Sequence, residues 1–253
     1  MRRPPGGDAT GALAGHYSDP GIGWPLSSGL AEIDDFASTT LSSRYGWLLW
    51  GLGSVQGSNS AAQATPTSAT EYGLTTLTAG GSNKGGTLFR DASLPLYTPS
   101  QGMLWTSKLA ASATTGLEVW AGFTSSSTAR VRTADATKLI GLRLNATSTK
   151  WEGVVKDGSG SGNETAIELA DVVAGTYVHA GWEAVSSGGS AAIQFFTLDT
   201  QSRIASVRTD HGSAVTTNIP TGLLPVALGV FQTAQSSISA TIDLWQFTGR
   251  VAR

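Results

Sequence analysis

The sequence contains no cysteine and little charge, and both shortages narrow what the protein can be. Without cysteine the chain has no disulfide framework, no thiolate metal site and no cysteine nucleophile. Charged residues make up 13% of the chain, against about 25% in an ordinary soluble protein. Lysine and arginine total 16, aspartate and glutamate total 18, and the net charge is −2. We expect no nucleic-acid partner, because binding to a phosphate backbone needs a basic field.

Long hydrophobic runs are missing as well. The longest are Trp47–Trp50 and Leu223–Phe231, far short of the ~20 residues that span a bilayer. Residues 1–7 carry charge but no apolar segment follows them, which is not the pattern of a signal peptide. We therefore expect no membrane partner.

Hydrophobic residues nevertheless account for 40% of the chain, with eight tryptophans and 32 glycines. Residues 1–30 differ from the rest, because prolines and glycines outnumber large apolar residues there. Such a segment cannot bury enough surface to fold alone. We predict an extended N-terminal arm over residues 1–30, either folded over its own domain or held by a neighbouring subunit. Its large apolar residues would make the assembly contacts: Ile22, Trp24 and Leu26.

Residues 31–253 are predicted to form a single all-β domain. Short runs of apolar and β-branched residues recur every 10–15 residues, separated by clusters of Gly, Ser, Thr and Asn. Several runs alternate, as where Arg143 lies between Leu142 and Leu144, which is typical of a half-buried strand. This spacing favours an antiparallel β-sandwich. Two segments are candidates for helix or a helical turn, Ala31–Leu52 and Ile167–Val173, and residues 57–70 are predicted to be a loop.

Candidate catalytic groups are few. The histidines are His16, His179 and His211, and the pair Asp210-His211 near Ser213 suggests a triad only superficially, because neighbours on a turn rarely hold that geometry. No Glu-x-Asp-x-Glu strand motif is present, and we find no pair of carboxylates that the strands would bring into register, as glycoside hydrolysis requires. We predict no catalytic residues and no enzymatic activity.

One loop has the spacing of a calcium site. Asp157 begins a Gly-Ser run, and Glu168 follows at the position of the last ligand of an EF-hand. Serines occupy two ligand positions and the flanks are strand-like, so a Gly-Ser hairpin is the preferred interpretation. We predict no metal and no cofactor. Most tryptophans are expected in the core, among them Trp105, Trp120, Trp182 and Trp245.

The order of these features resembles the concanavalin A-like (laminin G-like) jelly-roll modules of tailed-bacteriophage structural proteins. The similarity spans residues 34–249. It is carried by Asp34-Asp35-Phe36, Tyr45-Gly46-Trp47, Trp105, residues 117–123, residues 172–177 leading to Trp182, residues 193–196, residues 217–221 before Leu224-Pro225, and residues 242–247. Residues 196–199 lack the Asp-Gly hairpin often seen in the family. The calcium-binding carboxylates of its lectin members have no match, so sugar binding is not carried over.

The resemblance implies an antiparallel jelly-roll sandwich and a non-enzymatic virion structural protein. It would be a capsid-associated decoration or head-fibre protein on the particle surface, assembled with other capsid or tail proteins and with copies of itself. The alternative is a tail-associated receptor- or glycan-binding module whose partner is a host surface glycan. A glucanase-type enzyme ranks third, because the carboxylate motif is absent.

Overall fold

The structure is a computed structural model, and it describes most of the strand-forming part of the chain. The described ranges are 29–34, 47–52, 60–64, 74–79, 84–90, 103–125, 137–145, 147–187, 190–199, 207–221, 226–232 and 238–250. Side chains are described for 103–125, 137–145, 147–185, 191–199 and 207–221. Within these ranges no helix is long and apolar enough to cross a membrane.

The described residues form fifteen strands and one 3-10 turn, at Ser161–Asn163. The strands in chain order are β1 (Gly29–Asp34), β2 (Trp47–Leu52), β3 (Ser60–Ala64), β4 (Leu74–Ala79), β5 (Lys84–Arg90), β6 (Met103–Ala111), β7 (Leu117–Thr124), β8 (Lys138–Leu144), β9 (Lys150–Asp157), β10 (Glu164–Asp171), β11 (Tyr177–Ser187), β12 (Ser190–Leu198), β13 (Arg208–Val215), β14 (Val226–Gln232) and β15 (Ile238–Arg250).

The strands build two antiparallel sheets. The eight-stranded sheet has the order β13-β12-β11-β6-β15-β4-β3, and β1 also pairs with β15. The seven-stranded sheet has the order β10-β9-β8-β7-β14-β5-β2. One hydrophobic core contains side chains from both sheets, which therefore pack face to face. The predicted all-β antiparallel sandwich is confirmed.

Alternation along β7 and β8 decides which side chains enter this core. Val119 and Ala121 on β7 and Leu142 and Leu144 on β8 belong to it. The residues between them have the opposite side-chain direction, because successive residues of a strand point to opposite faces. Trp120 and Arg143 therefore lie on the outer face of the seven-stranded sheet, and they are direct partners in the register of the two strands.

Aromatic rings join the two sheets. Phe123 of β7 meets Trp105 and Trp182 of the other sheet edge to face, with ring centroids 6.5 Å and 5.7 Å apart. Such pairs contribute roughly 0.5–1.5 kcal/mol each beyond the burial of their area. The predicted core positions of Trp105 and Trp182 are confirmed, since both are fully buried here. The side chain of Trp245 lies outside the described residues.

Some segments differ from their predicted structure. The candidate helical segment 31–52 contributes β1 and β2, the loop predicted over 57–70 contains β3, and the turn predicted at 167–173 belongs largely to β10. β13 covers 208–215, a segment that the sequence pattern did not single out as a strand. Composition explains the errors at β3 and β13, because these two strands are rich in small and polar residues and have no hydrophobic alternation.

The division into an arm and a domain remains a prediction. Residues 1–28 lie outside the described residues. β1 starts at Gly29 and pairs with the end of β15, where Gly29 is opposite Arg250. Any truncation that removes the predicted arm must therefore keep Gly29 and Leu30.

Candidate functional site

The outer face of the seven-stranded sheet contains a cluster of buried charged side chains. Arg143 is 6% exposed and Lys156 is 4% exposed, although both side chains point away from the eight-stranded sheet. Charged groups are rarely this buried unless they are paired. We call this group the Arg143 cluster: Trp120, Arg143, Glu152, Lys156 and Glu164.

Arg143 holds two carboxylates. Its Nε atom donates to Oε2 of Glu152 at 2.9 Å, its Nη2 atom lies 2.8 Å from the same oxygen, and its Nη1 atom donates to Oε1 of Glu164 at 2.7 Å. Glu152 is its direct partner on β9. Glu164 belongs to β10 and lies opposite Lys156, two rows further along the sheet. Lys156 Nζ is 3.9 Å from the second oxygen of Glu164. The guanidinium therefore links β8 to both neighbouring strands.

The pKa of Arg143 reflects the balance of burial and pairing. Burial disfavours the charged guanidinium, but attraction to Glu164 and Glu152 and the hydrogen bonds to both outweigh it, so its pKa is raised. Arg143 stays cationic at every pH at which the protein would be folded. It fixes the two carboxylates in position by charge-assisted hydrogen bonds, which are about twice as strong as neutral ones.

Two polar groups in the cluster have hydrogen-bonding capacity left over. The indole Nε1 of Trp120 is buried and has no acceptor. Both contacts between Glu152 and Arg143 use Oε2, so Oε1 of Glu152 remains available as a hydrogen-bond acceptor. The Glu152 side chain is 16% exposed and that of Glu164 is 21% exposed, so the cluster reaches solvent at its β9–β10 side. One open donor and one open acceptor thus flank the guanidinium.

Trp120 is buried as predicted, but it does not lie in the core between the sheets. Its neighbourhood distinguishes it from Trp182, whose Nε1 is also buried without a partner. Trp182 belongs to the apolar core, whereas Trp120 lies opposite Arg143. An unsatisfied buried donor costs roughly 1–3 kcal/mol. In strand register this unused N–H group lies beside Arg143, so it is a candidate donor to a ligand oxygen.

Glycines surround Trp120 on the outer face. Gly122 and Gly141 form a direct pair one row away, and Gly229 of β14 lies opposite Trp120. A Cβ atom built on Gly122 would lie 2.7 Å from the Cα of Gly141, so neither strand admits a side chain there. The Trp120 ring consequently has no side chain beside it from these three positions.

The arrangement is suited to binding hydroxyl groups. A sugar hydroxyl donates one hydrogen bond and accepts others. Neighbouring strands are about 4.8 Å apart, so Glu152 and Trp120, on the two strands flanking β8, are separated by roughly twice that distance. This span matches a hexose ring with its substituents. The cluster can therefore offer an acceptor at one end of a sugar and, once the buried Trp120 ring is uncovered, a donor at the other.

The structure separates the residues of the other two candidates from the sequence, the EF-hand-like loop and the Asp210-His211 pair near Ser213. Asp157 pairs with Lys138 at 3.1 Å and Glu168 with Lys150 at 3.8 Å, so the two carboxylates of the EF-hand pattern belong to different ion pairs. Residues 158–163 join β9 to β10, which confirms the predicted hairpin. Among the described residues, no three His, Asp or Glu side chains are grouped so that they could hold a metal ion.

Asp210 and His211 lie on opposite faces of β13, because their partners on β12 are Phe196 and Phe195 and only Phe195 belongs to the core. Asp210 accepts a hydrogen bond from Nε of Arg208, and Nε2 of His211 is 2.8 Å from Oγ1 of Thr197.

The three residues named in the predicted arm, Ile22, Trp24 and Leu26, lie outside the described residues, and their assembly role stays a prediction.

The sequence alone did not single out the residues of the Arg143 cluster as a site. The available signal was weak: Arg143 and Glu152 each interrupt an apolar stretch, at Leu142–Leu144 and Trp151–Gly153. The expectation that no carboxylates come into register is wrong, because Glu152 lies opposite Glu168, and Glu164 joins it through Arg143. Such pairing depends on the register of two hairpins, which the sequence pattern does not determine.

The sequence matches no protein-family model and no curated protein. Solved structures match the fold at low identity. A prokaryotic β-1,3-1,4-glucanase (lichenase) from a mouse hindgut metagenome aligns with a TM-score of 0.56 at 11% identity, covering 87% of this chain and 99% of that one. Arcelin-5, a lectin-like defence protein from Phaseolus vulgaris, aligns at 0.54 and 8%, covering 89% and 100%. The carbohydrate recognition domain of Emp47p aligns at 0.53 and 11%, covering 90% and 100%.

These comparisons correct the prediction that the chain is not an enzyme. That prediction rested on the few histidines and the missing carboxylate motif, but glucanases have this same fold. The Bacillus licheniformis β-glucanase, with a TM-score of 0.52 and 12% identity over 89% of this chain and all of that one, is a second such case. The chain therefore has the concanavalin A-like jelly-roll fold that glucanases share with lectin-like proteins.

Proposed function

We propose that this protein binds glycans, and that the Arg143 cluster on the outer face of the seven-stranded sheet holds the sugar. The observation that carries the proposal is the buried indole N–H of Trp120, which lacks an acceptor and belongs to the residue directly opposite Arg143 in the strand register. The lectin-like and glucanase neighbours support it, since one of them is a carbohydrate recognition domain of the same fold.

The sugar would approach from the β9–β10 side, where Glu152 and Glu164 reach solvent. One hydroxyl donates to the open Oε1 of Glu152. A second sugar oxygen accepts from Nε1 of Trp120, which is 1% exposed and has to be uncovered when the sugar binds. Arg143 binds no ligand atom in this arrangement and acts as a positioning residue, because its hydrogen bonds fix the orientation of Glu152.

Binding to immobilised polysaccharides tests this assignment. Trp120→Phe keeps an aromatic ring and removes the N–H group, so we expect about a tenfold loss of affinity, the upper range for one hydrogen bond. Trp182→Phe is the matched control, because it removes an equally buried, unpartnered N–H group from the core between the sheets. Equal losses in the two variants, or no binding by the unmodified protein to any glycan of a broad panel, would contradict the proposal. Release of reducing sugars in the same wells would identify a bound glycan as a substrate.

We further propose that the protein is displayed on a tailed-bacteriophage virion as a homo-oligomer. The resemblance over residues 34–249 and the arm-like composition of residues 1–30 support this. A glycan site fits a receptor-binding module associated with the tail, and a capsid decoration or head fibre that adheres to host or environmental glycans is the second placement. Gold-labelled antibody against this chain, imaged on purified particles, distinguishes the two placements. Particles without label would contradict both.

A further inference from the structure

We infer that the Arg143 cluster selects uncharged sugars and discriminates against acidic ones such as uronates. This inference rests on the proposed glycan site and concerns the chemical class of its ligand. It follows from the distribution of charge around the unused acceptor of that site, Oε1 of Glu152.

The outer face of β7–β10 carries more acidic than basic groups. Of its described side chains three are cationic and five are acidic, an excess of two negative charges. They are Arg143, Lys150 and Lys156 on one side and Glu118, Glu152, Glu164, Glu168 and Asp171 on the other.

The cations on this face are already engaged. Arg143 is bonded to Glu152 and Glu164, and Lys156 lies 3.9 Å from Glu164. Lys150 is 3.1 Å from Asp171 and 3.8 Å from Glu168. An incoming carboxylate would have to displace one of these acids before it could gain a cationic partner.

The open acceptor also repels anions. Oε1 of Glu152 is a carboxylate oxygen and can only accept hydrogen bonds at neutral pH. A sugar carboxylate placed there has no proton to donate and brings like charges together, whereas a hydroxyl donates to it. Each unit of excess charge within 4–8 Å of the ligand changes affinity about two- to fivefold at low salt.

Paired oligosaccharides that differ only at C6 test the inference. Gluco-, galacto- and mannooligosaccharides of equal length are compared with the corresponding uronic acid oligomers by calorimetry at low salt. We expect the neutral member of any pair that binds to be favoured about tenfold, and the ratio to approach one in 1 M salt, where charges are screened within about 3 Å. Tighter or equal binding of the acidic member overturns the inference and leaves the glycan site standing. Failure of all six oligomers to bind overturns both.

A charge-neutralising variant makes the test specific. Glu168→Gln with Asp171→Asn removes the two excess charges without touching Trp120 or Arg143, so the ratio should fall about fivefold while neutral binding is unchanged. Glu183→Gln with Asp210→Asn is the control, since it removes the same charge around Arg208 in the eight-stranded sheet. An unchanged ratio in the first variant, or an equal change in the control, would contradict the electrostatic explanation.

Discussion

Arg143 on β8 and Trp120 on β7 are directly opposite each other, and they differ in how their donors are satisfied. The guanidinium donates to two carboxylates, whereas the indole N–H has no acceptor. A paired guanidinium beside an unsatisfied donor is unusual within one buried face, because both types of group are costly to bury. The hydrogen bonds of Arg143 fix the two carboxylates, and Trp120 leaves one N–H donor unused.

Removing Arg143 should strongly destabilise the protein. Arg143→Met leaves Glu152 and Glu164 largely buried without their cation, and breaking a buried pair in this way costs roughly 3 kcal/mol. Urea unfolding measures the loss. Arg208→Met is the matched control, because Arg208 also binds two acids, Glu183 and Asp210, but at a site that is about one third exposed. There the loss should stay near 1 kcal/mol, and equal losses would contradict the burial of the Arg143 cluster.

Gly122 should not tolerate a side chain. A Cβ atom at this position would lie 2.7 Å from the Cα of Gly141 and closer still to the carbonyl oxygen of Ile140. Gly122→Ala should therefore lower the free energy of unfolding by about 1–3 kcal/mol, the range for overpacking a tight site. Gly162→Ala in the β9–β10 hairpin is the control, since nothing lies within 4 Å of a Cβ there. Thermal denaturation should show a clear loss of stability for Gly122→Ala and only a small change for Gly162→Ala.

His211 should make stability depend on pH in one direction. Burial lowers its pKa below the ordinary value of 6.5, against the opposing attraction of Asp210. The unfolded chain then binds a proton at a higher pH than the folded chain. The contribution of His211 to the free energy of unfolding is complete above its pKa in the unfolded chain. It is lost as the pH falls towards the lower pKa of His211 in the folded protein. His211→Gln should flatten the dependence measured between pH 7.5 and 5.5, and parallel profiles would contradict it.

The predicted arm can be tested by truncation at a boundary the structure defines. A chain that begins at Ser28 retains β1, which pairs with β15. If residues 1–27 make the assembly contacts through Ile22, Trp24 and Leu26, this chain should fold and be monomeric, whereas the full chain should be oligomeric by light scattering. A monomeric full-length chain would contradict the arm's predicted role, as would an oligomer that persists without it.

Local patterns predicted the central strands well, and they failed where the information is not local. β6 to β9 combine β-branched or aromatic residues with alternation, so their positions follow from the sequence. β13 carries the sequence Arg-Thr-Asp-His-Gly-Ser, and it is a strand because it pairs with β12 at the edge of a sheet. Edge strands commonly carry charge, which hides them from a search for apolar runs.

The site was harder to predict than the fold for a physical reason. Trp120 alternates with Val119 and Ala121, so the pattern indicates that the three residues divide between two faces but not which face is the core. The meeting of Arg143 with Glu164 depends on a 21-residue separation closed by two hairpins. Composition shows that charged residues are scarce, and only the register shows that several of them converge on one face.

The most direct test of the glycan site is the indole N–H resonance of Trp120, followed by NMR as an oligosaccharide is added. Trp120→Phe identifies the signal among those of the eight tryptophans. The account predicts that this resonance shifts downfield in proportion to bound sugar, because the N–H gains an acceptor, while the equally unpartnered resonance of Trp182 does not move. A glycan that binds while the Trp120 signal stays fixed, or that shifts Trp182 to the same extent, would contradict the assignment of the site.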